Sequence, residues 1–281
     1  MRFFLPLFIG LSFLANANAQ NGSPSTGGAR GLAMGNASAT FDDINAAYSN
    51  QSGLAFLPST QFGVYAEQRF LTGAINSLNA AVANPFKNIG TLGLTMGYFG
   101  FQEYNEQKIG LSYSRLLSNN FAIGAQFDYL STRIPTYGQA SSFTAELGFL
   151  YKMSKTVHLG AHAYNFVRAG LPNGDKLPSI YKIGLAYLPS EKVRVNTELE
   201  KNIDNPLNFK LGIEYRPTDK FMVRTGFNTA PFRISGGLGI QHQGLIIDAG
   251  VNYHQILGFS PALSVSYGLN TPKKQPETVS Q

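Results

Sequence analysis

The chain has 281 residues, of which 14% are charged and 43% are hydrophobic. The charged fraction is well below the roughly 25% of soluble domains, yet past the N-terminus no apolar run approaches the ~18 residues of a membrane helix. Low charge without long apolar runs is typical of a transmembrane β-barrel, with a soluble β-sandwich as the alternative. The basic residues are scattered, which argues against a nucleic-acid surface, and there is no cysteine for a disulfide framework.

The first residues predict a secretory signal peptide, residues 1–19. Arg2 supplies a minimal positive charge, residues 3–15 form an apolar core, and Ala17 and Ala19 give an A-x-A cleavage site. The apolar core is too short to span a membrane. Removal of this peptide would leave 21 basic and 16 acidic residues, a net charge of +5.

The next segment, residues 20–58, lacks the alternation of a β-strand. Residues 21–28 are rich in glycine and serine, and a run of small, helix-compatible residues follows. Asp42 and Asp43 are placed to cap a short helix that ends at Ala47, because aspartate accepts hydrogen bonds from the free N–H groups of a first turn.

Residues 59–270 repeat a pattern in which apolar and polar residues alternate, as in half-buried strands. Most predicted strands have 10–13 residues, close to the ~9–11 that cross hydrocarbon at a tilt and longer than the ~5–6 of soluble sheets. An even number of strands agrees with single-chain bacterial barrels. The fourteen predicted strands are 60–70, 73–84, 89–100, 106–117, 120–132, 140–153, 156–167, 179–188, 191–201, 206–216, 219–228, 231–241, 243–253 and 260–269.

The predicted fold class is therefore all-β: a transmembrane antiparallel β-barrel of about 14 strands with an N-terminal hatch or plug segment. A barrel of this size is wider than the eight-stranded barrels that side chains alone fill, so something must occupy or gate its interior. Residues 20–58 are the candidate for that hatch. Residues 271–281 are predicted as a short polar tail.

The lengths of the connections predict which end of the barrel faces the periplasm. Connections after even-numbered strands are mostly short, whereas the long ones follow odd-numbered strands, at 101–105, 133–139, 168–178 and 254–259. Outer-membrane barrels have short periplasmic turns and longer outer loops, so we expect both termini in the periplasm. Five aromatic residues collect near that edge and predict an interfacial girdle: Phe121, Tyr151, Tyr187, Tyr215 and Phe221.

The charged face of the strands is predicted to look into the lumen. A one-residue shift would place the basic residues in lipid, at roughly 2–4 kcal/mol for each one near the midplane. Strands nine to eleven carry lumen charges of both signs, which could form a structural ion-pair network or a contact surface for the hatch or a ligand. These residues are Arg194, Glu198, Glu200, Lys210, Glu214, Arg216 and Arg224.

The sequence gives little support for catalysis or for a bound metal. His158 and His162 lie two pleats apart on one face, roughly 13 Å by strand rise, which is too far for one ion. No carboxylate or cysteine joins them at ligand spacing, and no G-x-S-x-G or Walker-type motif is present. We therefore expect no enzyme activity and no cofactor.

The N-terminal segment carries, in order, the motifs Gly28-Ala29-Arg30, Met34-Gly35, Asp42-Asp43, Asn45-Ala46 and Asn50-Gln51-Ser52-Gly53-Leu54-Ala55. This order resembles the amino-terminal hatch of the PorV/PorQ-type outer-membrane barrels, a FadL-like family associated with the type IX secretion system. The resemblance covers about residues 20–270 and continues in the C-terminal third in the motifs at 213–217, 223–228 and 234–239. Where the family has Asn-Pro-Ala, this chain has Asn50-Gln51-Ser52. The hatch residues that the resemblance singles out are Arg30, Asp42, Asp43, Asn45 and Asn50.

The resemblance implies two functions for a barrel in the outer membrane of a Gram-negative bacterium. In the first, the protein is a non-enzymatic accessory, docking or plug component of a type IX-like secretion translocon. Its partners would then be outer-membrane lipid and a larger secretion-channel protein or exported cargo. The alternative is a FadL-like channel for small hydrophobic molecules. The dense charge on strands nine to eleven favours the docking function slightly.

Overall fold

The computed structural model describes residues 27–269 apart from 74, 136–137, 172–173 and 175. The predicted signal peptide and polar tail lie outside the described residues. Among these residues, none of the helices is long and apolar enough to cross a membrane.

The architecture is a closed antiparallel barrel of fourteen strands, in which each strand pairs with the next and the first pairs with the last. This confirms the predicted fold class and strand number. The strands are β1 (Gln61–Gln68), β2 (Asn76–Phe86), β3 (Gly90–Phe101), β4 (Tyr104–Ser118), β5 (Phe121–Ile134), β6 (Gly138–Lys152), β7 (Val157–Tyr164), β8 (Ile180–Ser190), β9 (Val193–Asn202), β10 (Asn208–Thr218), β11 (Phe221–Thr229), β12 (Phe232–His242), β13 (Leu245–His254) and β14 (Gly258–Gly268).

The two faces of the wall have the predicted phase. Outward side chains are large and apolar and stay exposed, as for Ile183 at 67% and Leu111 at 62%. Inward side chains are polar and buried, as for Asp128 at 0% and Glu214 at 1%. This inside-out distribution follows from strict alternation in a wall with lipid on one side and a polar lumen on the other.

The connections differ in length between the two ends of the barrel. Every connection after an even-numbered strand has two to four residues, and we call this the short-turn end. The opposite, long-loop end holds the connections 69–75 and 165–179. The predicted loops at 101–105 and 133–139 are wrong in extent, because β3 pairs with β4 as far as Tyr104 and β5 pairs with β6 as far as Gly138.

The N-terminal segment, residues 27–58, lies inside the barrel. It contains the helix α1 (Gly28–Ala33) and two 3₁₀ turns, Ile44–Tyr48 and Gln51–Phe56. Helix α1 contacts β11 to β14 and β1, whereas the second 3₁₀ turn contacts β3 to β6. The segment therefore crosses the lumen and supplies most of its apolar core, including the fully buried Phe41.

Glycines in the wall make room for this segment. At each of these positions an added Cβ would meet an atom of the N-terminal segment within 4 Å. Gly148 shows the reason, since its Cβ would overlap the side chain of Asn50. We call this set the glycine belt: Gly63, Gly93, Gly124, Gly148, Gly160, Gly184, Gly212, Gly226, Gly237 and Gly250, each from a different strand.

Candidate functional site

The candidate site is the lumen, and the N-terminal segment holds its shape there through local caps. Asp43 caps the first 3₁₀ turn by accepting the N–H of Asn45 at 2.9 Å. Asn50 caps the second turn, and its amide donates to the backbone oxygens of Ala39 at 2.7 Å and of Phe149 on β6 at 3.0 Å. The side chain of Asn50 thereby both shapes the turn and ties it to the wall.

Arg30 connects α1 to the wall. Its Nε donates to Glu214 of β10 at 2.9 Å, it pairs with Asp43, and its guanidinium lies 4.4 Å from the centre of the Phe41 ring. Burial would lower the pKa of Arg30, but the carboxylates of Glu214 and Asp43 raise it above its usual value. Arg30 is therefore a permanent cation inside the barrel.

Asp42 makes the second connection. Lys152 of β6 donates to it at 2.6 Å, and Arg194 of β9 lies 3.6 Å away. Burial would raise the pKa of Asp42, but the charges of Arg194 and Lys152 outweigh burial and hold that pKa below its usual value. Arg194 also donates to the backbone oxygen of Thr40 at 2.5 Å, so two elements of the wall hold this part of the segment.

Glu198 of β9 makes the third connection. It accepts the backbone N–H groups of Ser38 at 2.9 Å and Ala39 at 2.8 Å. Lys210 of β10 lies 2.8 Å from Glu198 and 2.7 Å from Glu200, so it neutralises both carboxylates. The charges predicted for strands nine and ten thus pair across neighbouring strands and also bind the segment's backbone.

The remaining predicted charges gather on Glu214. Arg224 of β11 donates to it at 2.6 Å, and Arg216 lies 2.9 Å away. Arg224 also reaches Asp248 of β13 at 2.7 Å. All seven predicted lumen charges therefore take part in ion pairs, distributed over three groups that include Asp42, Asp43 and Asp248.

A second polar cluster on β4 to β7 was not predicted as a unit. Glu146 pairs with Lys108 at 2.5 Å and with His162 at 2.8 Å, and it accepts the Gln51 amide of the N-terminal segment at 2.8 Å. The alternation of their strands puts Lys108, Glu146 and His162 on the inward face, but their contacts depend on strand register, which no local spacing reveals. No group of three potential ligands that could hold a metal occurs in the described part of the chain.

The predicted girdle residues all lie at the short-turn end, on the outward face or at its edge. Tyr187, Tyr215 and Phe221 are about half exposed, at 49%, 48% and 52%. Phe121 and Tyr151 are opposite each other on β5 and β6 with ring centres 6.2 Å apart. This placement suits an interface between hydrocarbon and headgroups.

An apolar groove of about 700 Å³ lies on the outer face of the wall over β14 and β1 to β4. Ala66 and Ala80, both outward and small, lie among its lining residues, and Gly97 contributes a third position without a bulky side chain. Its large aliphatic lining side chains lie on the outward face, and the strands beneath it remain paired. The larger lining residues are Val64, Leu78, Met96, Tyr98, Ile109, Leu263 and Val265.

Comparison with known proteins gives no matching family model and no matching curated protein. Solved structures do match. The Ralstonia pickettii toluene transporter TbuX is 14% identical with a TM-score of 0.68, over 86% of this chain and 98% of that one. The CymD monoaromatic hydrocarbon channel is 12% identical with a TM-score of 0.67, over 89% of this chain and 99% of that one. A Pseudomonas aeruginosa FadL homologue is 13% identical with a TM-score of 0.63, over 89% and 100%.

These structural similarities establish the fold of the protein, a closed β-barrel of the outer-membrane type. Within that class, the fold is that of FadL-like barrels, which agrees with the FadL-like part of the predicted resemblance. None of the structures described here is a PorV/PorQ protein or a component of a type IX secretion system. At 12–14% identity they establish the fold and do not by themselves establish a substrate.

Proposed function

We propose that the protein is a non-enzymatic channel of the Gram-negative outer membrane that passes small hydrophobic molecules through the side of its barrel. The observation that carries the proposal is the apolar groove in the wall beside a lumen that the N-terminal segment fills. The comparisons support this alternative of the two sequence-based functions better than the secretion role. Both termini would lie in the periplasm, at the short-turn end.

The straight path through the barrel is obstructed. The N-terminal segment is almost wholly buried and is held by ion pairs to β6, β9 and β10. Removing one partner of a buried ion pair costs about 3–5 kcal/mol of stability. Moving the segment aside for each solute would separate several such pairs and would therefore be strongly unfavourable. A route that leaves the segment in place is the simpler one.

The groove offers such a route. Its lining combines the small side chains of Ala66 and Ala80 with aliphatic ones such as Leu78 and Leu263. A neutral apolar solute gains free energy by leaving water for this surface and then the adjoining hydrocarbon. Toluene is a suitable first probe, because two of the proteins with the same fold are described as a toluene transporter and a monoaromatic hydrocarbon channel.

The test is toluene uptake into vesicles that contain the purified protein. Ala80→Phe would fill the groove and is expected to reduce uptake several-fold. Ala125→Phe is the matched control, because Ala125 is an exposed outward alanine on β5, away from the groove. Equal uptake by the wild type and Ala80→Phe would argue against passage at this place.

The ion-paired lumen favours a second candidate, a docking component of a secretion machine. Such a lumen has no need to open, and Glu214, Arg224 and Asp248 form a network that is nearly closed to solvent. Mild-detergent extraction from the native membrane followed by mass spectrometry would decide. A stoichiometric large secretion-channel subunit or exported cargo would favour docking, whereas a protein that elutes alone would favour the channel.

A further inference from the structure

A group of cations at the long-loop end has too few carboxylates. Arg69, in the β1–β2 connection, has Glu67 as its ion-pair partner at 3.7 Å. Arg233, at the start of β12, lies within electrostatic reach of both Arg69 and Glu67. Among the described residues Arg233 makes no hydrogen bond or ion pair, and its buried Nε has no partner. Two arginines therefore share one carboxylate.

Further groups without a full set of partners surround the pair. His254 is the register partner of Arg233 on β13. Asn252, two residues earlier on the same face, is 3% exposed, and its side-chain oxygen is buried without a hydrogen bond. This oxygen is an acceptor, so it would bond a donor group or a bridging water beside the ligand, whereas the arginines supply the donors.

Aromatic rings line the same place. The Arg69 guanidinium lies 4.7 Å from the centre of the Phe99 ring, and the Phe70 ring meets His254 edge-on at 6.2 Å. Phe70 and Leu71 have φ values of 59° and 51°, a left-handed conformation that bulky residues rarely adopt. The bond from the Phe70 N–H to Ser260 at 2.9 Å fixes this loop against β14. Backbone strain of this kind often marks a functional position.

The deeper lumen shows the opposite balance. There Arg30, Arg224 and Lys210 each lie within 3 Å of a carboxylate, and each of the three binds a second one. At the long-loop end, by contrast, the Nε atoms of Arg69 and Arg233 are buried without a hydrogen-bond partner, although both side chains are partly exposed. Because a buried donor without an acceptor is unfavourable, these two groups indicate that an acceptor from outside completes the group.

We propose that Arg69 and Arg233 bind the carboxylate of a compact organic acid at the entrance of the barrel, with its apolar body against Phe70 and Phe99. Guanidinium groups bind carboxylates with two parallel hydrogen bonds, and aromatic rings pack against apolar bodies. This inference rests on the proposed channel function and names a class of solute for it. Neutral hydrocarbons have no group that would use the two arginines.

The experiment is titration calorimetry of the full-length protein in detergent with sodium benzoate, toluene and sodium acetate. Benzoate and toluene share a ring and differ in the carboxylate, whereas acetate has the carboxylate without the ring. Benzoate is expected to bind more tightly than either of the other probes. Arg233→Gln should weaken benzoate at least tenfold and leave toluene unchanged. Arg133→Gln, at an exposed outward arginine of the same end, should change neither.

Three results would overturn the inference. They are unchanged benzoate affinity in Arg233→Gln, equal affinity for benzoate and toluene in the wild type, and acetate binding as tight as benzoate, which would indicate a site for simple anions. The heat-dependent migration of each variant on gels checks that the barrel has folded. Toluene uptake by vesicles separates this inference from the proposed function. Wild-type protein that binds benzoate but takes up no toluene would contradict the channel function and leave the carboxylate site standing.

Discussion

At the scale of single residues, Glu214 joins parts of the molecule that are far apart in sequence. Its carboxylate binds Arg30 of α1, Arg224 of β11 and Arg216 of its own strand. It is 1% exposed, so water replaces none of these bonds. One side chain therefore couples the N-terminal segment to the wall.

Glu214→Gln is expected to lower the free energy of unfolding by about 3–5 kcal/mol, because it leaves the buried Arg30 and Arg224 with one carboxylate each, Asp43 and Asp248, in place of two. The measurement is urea unfolding of the protein in lipid vesicles. Asp219→Asn, in the exposed turn that follows β10, is the control and should change stability little. A Glu214→Gln barrel as stable as this control would show that the pairs contribute no net stability.

The sequence identifies the face of the wall on which a side chain lies, but it does not identify the side chains that it contacts. Alternation places Lys108, Glu146 and His162 on the inward face, because the side-chain period of a strand is two. Their contacts depend on which residues lie opposite one another in neighbouring strands, and a single sequence does not contain that register. The same holds for Arg233 and Arg69, which lie on strand and loop more than 160 residues apart in sequence.

At the scale of elements, the glycine belt and the N-terminal segment fit each other. Each glycine admits backbone or small side chains of the segment at a distance that a Cβ would prevent. The belt therefore explains why glycines interrupt the inward face of so many strands. At Gly237, for example, an added Cβ would lie 2.6 Å from the Cβ of Ala33 of the segment.

Gly226→Val is expected to displace the segment, because its side chain would overlap the backbone at Met34 and Gly35. Trypsin should then cleave after Arg30, which is 5% exposed in the native structure. Gly236→Val is the control on the next strand, since a Cβ there meets only the Arg224 oxygen, at 3.6 Å. Protection of Arg30 in both variants would mean that the belt does not position the segment.

The strands were predictable and the loops less so. Alternation over ten or more residues identifies a strand that crosses a membrane. At the mouth of the barrel the strands stay paired beyond the last apolar residue, where no alternation reveals them. Strands β3 to β6 extend beyond the predicted ends for that reason, and the loops at 101–105 and 133–139 shrink to two or three residues. The connection at 165–179 stays long. Its Leu171 and Leu177 pack against Leu130 of β5.

At the scale of the whole molecule, the wall, the plugged lumen and the groove support one account. In the channel function that we propose, the N-terminal segment stays in place, and apolar solutes enter at the long-loop end and leave through the side. The sequence favoured the secretion role because it revealed the lumen charges and could not reveal the groove, which forms only when β14 closes against β1. The fold shared with hydrocarbon channels then gives the alternative its support.

The most direct test locks the segment to the wall and measures passage. The chain has no cysteine, so Ala39→Cys with Gly184→Cys introduces a single pair. The two Cβ atoms would lie 3.1 Å apart, a few tenths of an ångström below the range for a disulfide, and no other atom would lie nearer to the new Cβ at Gly184. The account predicts that the oxidised double variant passes toluene into vesicles at the rate of the reduced one. Passage that stops on oxidation and returns on reduction would contradict it, because the segment would then have to move for each solute.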